Sequence, residues 1–227
     1  MMLRIAQCWD DGDVTDIRVA ELMRKYHAKA TFNLCPGLLL PDRRNWRGSF
    51  DGFARCKLAA NELAEVYQGF QLASHTMTHV NAGEVPDALF LQEALDARHY
   101  LEDLCGRECR GFAWPCGKYT DATVQLLKSA GFAYGRTTKN TDRVLPCAEP
   151  MTLHSSCHFQ NPDFRRILAA AGPDGVFYFW GHSYEMKDEP ARWQALEDHL
   201  KFLSDLPNAV WVDVVDLVRP ASAPESA

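Results

Sequence analysis

The 227-residue sequence predicts one α/β domain whose parallel sheet closes into a barrel. Three observations lead there. Short β-type runs alternate with helical patterns along the whole chain, and such alternation requires parallel strands joined by crossovers. No G-x-G-x-x-G or Walker A sequence follows any run, which weakens the open, nucleotide-binding version of such a sheet. The reactive side chains gather where strands are expected to end, as they do at the C-terminal rim of a barrel. Asp10 and Asp11 follow the first strand, His75 the third, Pro115–Gly117 the fourth and His182 the seventh.

The elements follow in order. Leu3–Cys8 is a short apolar strand, Asp16–His27 a helix opened by its acid, and Lys29–Leu34 a strand stopped by Cys35-Pro36-Gly37. Pro41 to Arg55 is polar and punctuated by Pro and Gly, and reads as loop. Asn61–Gln68 is a short helix and Phe70–Ala73 the third strand. Phe90, Ala94, Ala97, Leu101 and Leu104 recur at helical spacing from Asp87 to Leu104, and Gly106 ends that helix. Gly111–Trp114 is a strand, Asp121–Ala130 a helix closed by Gly131, and Phe132–Gly135 the fifth strand. Thr137–His158 is irregular, and its strand is not placed. Phe164–Ala171 is helical, Val176–Trp180 a buried strand, Trp193 to Leu203 a helix, and Ala209–Val212 a last strand with a short helix after it. Residues 1–219 are read as the barrel domain, and 220–227, without apolar payload, as a disordered tail.

Composition excludes several functions. At 47% apolar and 24% charged the chain is an ordinary globular one, long enough to bury a core without disulfides or a structural metal. A net charge of −6 is a poor match to a phosphate backbone or an anionic membrane, so neither nucleic acid nor membrane is an expected partner. No apolar run reaches the roughly 18 residues of a bilayer span. Met1–Trp9 lacks a basic n-region and a cleavage site, and the eight cysteines include no C-x-x-C pair. Both features lead us to expect reduced thiols and a cytoplasmic protein. Cys105 and Cys109 have helical i,i+4 spacing, but without a second pair they make a poor zinc site.

Four short motifs carry chemistry. Asp10-Asp11-Gly12 sets two carboxylates at a strand end, where one could hold a metal and the other accept a proton, although Asp-Asp-Gly is equally turn composition. His75-Thr76-Met77-Thr78-His79 spaces two imidazoles for one face of a helical turn, where they could chelate a cation beside a carboxylate. Trp114-Pro115-Cys116-Gly117 is a rigid turn able to offer a backbone N–H to an oxyanion; alternatively it is a plain βα turn. His182 could act as general acid, or be a structural hydrogen-bonder; with Cys116 nearby it also invites a Cys–His nucleophile, though nothing in the sequence ionises that thiol. Trp9, Trp114, Trp180 and Tyr184 are aromatics that could stack on a sugar, and His154 and His158 receive no role.

In this order, from Leu3 to Val218, these residues resemble the NodB-type polysaccharide deacetylases, carbohydrate esterase family four, of which the chain looks like a divergent member. The family's T-F-D-D-G appears as Cys8-Trp9-Asp10-Asp11-Gly12, and its H-[ST]-x-x-H is met in full by His75–His79. R-x-P-[FY]-G is partly met by Ala113–Gly117, and L-x-L-H loosely by Phe179–His182. The resemblance implies a distorted (β/α)7 barrel of the glycoside hydrolase/deacetylase type and a metal-dependent hydrolase acting on non-peptide carbon–nitrogen bonds. It implies Asp11, His75 and His79 as ligands of a divalent metal, most often zinc, with cobalt, nickel or manganese as substitutes. Asp10 is then the base, the Cys116 N–H an oxyanion donor and His182 the acid. The substrate is a small or oligomeric N- or O-acetylated carbohydrate, with Trp114, Pro115 and Tyr184 lining its site.

Two departures stand out. The third motif's arginine is Ala113, and no D-x-x-D-W occurs between Gly131 and Pro150. Position alone suggests Arg136 for the missing guanidinium and Glu185 for the missing acid. Two other functions stay open: a C–N hydrolase acting on a non-sugar amide or ureide, and a catalytically inactive carbohydrate-binding barrel.

Overall fold

A computed structural model of the chain describes residues 2–39, 41, 48–50 and 53–218; the expected tail at 220–227 lies outside them. The first half runs β1 (Leu3–Asp10), α1 (Asp16–Lys25), β2 (Thr31–Leu34), β3 (Gly48–Phe50), β4 (Phe53–Arg55), α2 (Leu63–Val66), β5 (Gln71–Ser74) and α3 (Asp87–Cys105). There follow β6 (Gly111–Ala113), α4 (Asp121–Ser129), β7 (Tyr134–Asn140), β8 (Leu153–Ser155), β9 (Cys157–His158) and α5 (Phe164–Ala171). The chain ends in β10 (Val176–Gly181), α6 (Pro190–Ser204), β11 (Ala209–Trp211) and α7 (Val214–Val218).

The main sheet runs β8-β7-β6-β5-β2-β1-β10-β9, every pair parallel. Only Ser156 separates β8 from β9, so one stretch pairs with β7 at its start and with β10 at its end. The Ser156 N–H donates to the Tyr178 carbonyl at 2.6 Å across the joint. The ring therefore closes nearly completely, with seven strand positions, in agreement with a distorted (β/α)7 barrel. Part of the distortion lies at β1. β10 follows one edge of β1, while the other is shared between β11 at Leu3–Ile5 and β2 at Cys8–Asp10.

Strand parity sorts the side chains into two layers. Ile5, Trp9, Phe177 and Phe179 pack outward with α1, α5 and α6. Ala6, Cys8, Tyr134, Leu153 and Tyr178 form a second cluster inside, with α7 packed against it. The same parity turns Asp10 inward, two residues beyond Cys8. At Gly111 an added Cβ would collide with the Tyr134 ring that crosses this interior.

The sequence expectations depart from the structure in a few places. The segment expected as loop up to Arg55 contains the antiparallel pair β3–β4. Asn61–Gln68 is a 3-10 turn, Ala60–Glu62, followed by a single turn of α-helix at α2. β7 starts at Tyr134 and runs to Asn140, because its exposed second half carries polar residues without apolar alternation. Cys109 lies beyond the end of α3, so it shares no helix face with Cys105.

Candidate active site

A cavity of about 330 Å³ opens at the C-terminal ends of the strands. Asp10, Asp11, His75, His79, Arg136 and His182 all line it, brought together from β1, β5, β7 and β10 and the turns after them. Asp10 is the inward residue that ends β1. Its Oδ1 accepts a hydrogen bond from Asn33 Nδ2 at 2.7 Å and its Oδ2 one from Arg136 Nη2. Burial would raise its pKa, but the Arg136 guanidinium, helped by His75 and His182, outweighs burial and holds the carboxyl below its usual range.

Asp11 takes a left-handed conformation at φ 84°, tolerable for Asp, and Gly12 follows at φ 68°. This turn brings both acids into one pocket although they are neighbours in sequence. Asp11 Oδ1 lies 3.9 Å from His75 Nε2 and 3.8 Å from His79 Nε2. His75 Nδ1–H donates to the Ala113 carbonyl at 2.8 Å, which turns the Nε2 lone pair toward Asp11. Burial, reinforced by His79 and Arg136, lowers the His75 pKa to about 4, so the ring is neutral at ordinary pH.

The expected helical turn at His75–His79 is absent. The segment is an irregular loop with Thr76 at φ 63° and His79 at φ 62°, and the two rings meet edge-on at 4.7 Å between centroids. Contacts on both sides hold it. Thr78 N–H donates to Glu93 of α3 at 2.8 Å, and the Met77 carbonyl accepts from Gly37 N at 2.9 Å, where a Cβ on Gly37 would strike that carbonyl.

One carboxylate and two imidazoles, with the first ring's tautomer set by a backbone carbonyl, form a donor set suited to zinc or a similar divalent cation. Cys35 Sγ lies within 4.8 Å of the Asp11 and His75 ligand atoms. Its thiol donates to the His75 carbonyl at 3.1 Å, and burial pushes its pKa well up.

His182 follows β10. Its Nδ1 lies 2.9 Å from Glu185 Oε1, and its Nε2 faces Asp10 Oδ2 at 3.8 Å. Burial would lower its pKa, but the Glu185 hydrogen bond and the charges of Asp10 and Asp11 raise it above the ordinary value. Cys116 lines the cavity at its rim, in a left-handed turn with φ 52°. Tyr184 lines the cavity, its ring beneath the Arg55 guanidinium at 3.6 Å.

Three expectations about aromatic and rim residues change. Trp9 belongs to the outward layer, 5.1 Å from Phe159, and does not line the cavity. Trp114 borders the cavity but is fully buried, stacked on Phe90 with Nε1–H donating to the Met151 carbonyl. Pro115 is buried beneath the turn and does not line the cavity.

Sequence reading missed Asn33, Arg55 and Lys57. Arg55 Nη2 donates to Asp11 Oδ2 at 3.2 Å and its Nε to Asp13 at 3.3 Å. Lys57 Nζ bonds the Asp11 carbonyl and stands 4.0 Å from Asp11 Oδ1. Burial would raise the Asp11 pKa, but Lys57 most strongly, with Arg55 and the neighbouring imidazoles of His182 and His75, holds the carboxyl far below its usual range. Their only signal was an Arg-x-Lys spacing, which puts both on one face of an extended segment.

The polysaccharide deacetylase family matches residues 3–135. None of the curated proteins compared matches the chain. Among solved structures, the Streptococcus pyogenes deacetylase PplD in complex with acetate is 23% identical, with a TM-score of 0.54 over 65% of this chain and 61% of that one. BA3943, a carbohydrate esterase family four pseudoenzyme from Bacillus anthracis, is 15% identical (TM-score 0.60; 96% and 66% covered). The family-four esterase domain of a multidomain xylanase from the hindgut metagenome of Trinervitermes trinervoides is 18% identical (TM-score 0.60; 96% and 90% covered). The chain thus spans less than two thirds of the first two, and likenesses at these identities establish the fold alone.

Proposed function

The chain belongs to the polysaccharide deacetylase family, and from that premise we propose a metal-dependent hydrolase that removes an acetyl group from an N- or O-acetylated carbohydrate. The observation that carries the proposal is the division of labour between adjacent acids. Asp11 faces His75 and His79, while Asp10 faces His182 and is held by Arg136 and Asn33. Asp11, His75 and His79 would hold the cation, proposed as zinc. When bound, such an ion polarises an acyl oxygen and acidifies water. Asp10 takes the proton of the attacking water; beyond the bonds from Asn33 and Arg136 its oxygens keep lone pairs for it. The Cys116 backbone N–H would donate to the oxyanion that develops on the acyl oxygen. His182, kept protonated by Glu185, gives its proton from Nε2 to the departing amine or alkoxide. The substrate is proposed to be a small or oligomeric carbohydrate, and a cytoplasmic location is proposed from the scattered cysteines.

Metal analysis of purified protein beside Asp11→Asn and His75→Ala, with acetate release from N- and O-acetylated sugars, tests this reading. Stoichiometric zinc in the wild type alone, with acetate released, is expected. Full metal in both variants, or metal-loaded protein inert on every acetylated sugar, would overturn it.

A further inference from the structure

His158 has no part in the chemistry above, yet it stands against the acid side of the cavity. In the β9–β10 register it lies opposite Trp180, so His158, Trp180 and His182 share one side of the sheet. The rings pack edge-on in series, 5.0 Å from His158 to Trp180 and 5.4 Å from Trp180 to His182. Glu185 reaches back between the two imidazoles. Its Oε1 lies 2.9 Å from His182 Nδ1, and its Oε2 lies 3.1 Å from His158 Nε2.

We infer that His158 is a positioning residue: it holds Glu185 from the side opposite His182, so that His182 keeps Nδ1 protonated and presents Nε2 to the leaving group. This rests on the deacetylase reading for what His182 does. The proton inventory supports it. Gln160 N–H donates to His158 Nδ1 at 3.3 Å, so that nitrogen carries the lone pair and the neutral ring has its proton on Nε2, facing Glu185. Although burial opposes ionisation, the two histidines bring the Glu185 pKa down to about 2, so it is a carboxylate at any working pH. A carboxylate bonded at one oxygen still rotates about its last torsion; the His158 ring, whose Nε2 stands 3.1 Å from Oε2 but off the line of a hydrogen bond, narrows that rotation. His158, His182 and Glu185 also place ligand atoms within 4.8 Å of one another, the spacing of a cation site. A cation on His158 Nε2 would leave that ring with no N–H while Nδ1 already accepts one, which would require an imidazolate. The proton arrangement is the consistent one.

The test uses His158→Phe, which keeps ring volume and loses the donor, and His158→Gln, which keeps a donor at similar reach. Long-range proton–nitrogen correlation of the imidazoles, recorded at alkaline pH where His182 has given up its acid proton, is expected to show Nε2–H on His158 and Nδ1–H on His182 in the wild type. His158→Phe should mix the His182 tautomers, and His158→Gln should restore the single one. On an N-acetylated sugar, kcat should fall about tenfold in His158→Phe, a fraction of what a general acid contributes. Hydrolysis of p-nitrophenyl acetate, whose leaving group needs no proton, should stay within about twofold. An Nδ1–H tautomer at His158, a His182 spectrum indifferent to the substitution, or equal losses on both substrates would overturn the inference. So would a second equivalent of Zn2+ bound by the wild type and lost in His158→Phe. If the wild type hydrolyses neither substrate, the deacetylase reading falls, and the tautomer spectra still decide the role of His158.

Discussion

Arg136 and Asp10, 126 residues apart in the chain, form an ion pair inside the barrel with 1% and 2% of their surfaces exposed. The pair supplies, from β7, a guanidinium that the Trp114–Gly117 turn does not carry. It also leans on Trp180, whose ring lies 4.8 Å from the Arg136 guanidinium carbon.

Arg136→Met leaves Asp10 buried without its counter-charge, and breaking such a pair costs about 3–5 kcal/mol. The lost charge also lets the Asp10 pKa rise, so activity that needs an ionised base should begin at higher pH. Urea unfolding and the acidic limb of kcat/KM check both. An unmoved limb would mean that Arg136 does not act on the base.

Glu185→Gln removes the carboxylate that, with Asp10 and Asp11, raises the His182 pKa against burial. His182 must hold a proton to act as acid, so a lower pKa brings the loss of activity at alkaline pH to a lower pH. The basic limb of the kcat/KM profile measures this, and an unaltered limb would separate Glu185 from the acid.

Lys57→Met takes an ammonium from 4.0 Å beside the Asp11 oxygen that faces both imidazoles. An ammonium there would repel a cation held by Asp11, so without it zinc affinity measured by chelator competition should tighten about tenfold, or 1.4 kcal/mol. Weaker binding instead would show that Lys57 serves to orient Asp11.

Asp16, buried at the start of α1, accepts from Tyr67 Oη at 2.6 Å and from Ser183 Oγ. Burial outweighs those bonds and pushes its pKa up to about 7. The folded state therefore holds a proton that the unfolded chain releases near pH 4, and the stability linked to it declines as pH rises toward 7. Asp16→Asn, neutral throughout, should lack that decline when unfolding free energies are compared at pH 4.5 and 7. A constant difference between the two proteins would mean that Asp16 titrates alike in the folded and unfolded chain.

Helices and buried strands were legible because their apolar spacing is local: α5 spans Phe164–Ala171 as periodicity marks it, and Gly106 caps α3 in a left-handed conformation. β8 and β9 were not, since two pieces of two or three residues around Ser156 carry no period. At the site, Asp10, Asp11, His75 and His79 stand in recognisable motifs, but the backbone between the histidines is set by contacts with Glu93 and Gly37 that no spacing encodes. Arg55 and Lys57 reach Asp11 from an insertion between β2 and β5, and only the folded chain reveals which wall that insertion builds.

The short stretch from Leu153 to His158 is at once the last plank of the barrel and the backing of Glu185. The residues proposed to hold the cation stand elsewhere on the ring, at the ends of β1 and β5. On the proposed function, a chain sprung at that plank would therefore go silent while still loading its ion, and a metal assay would pass molecules that a turnover assay rejects.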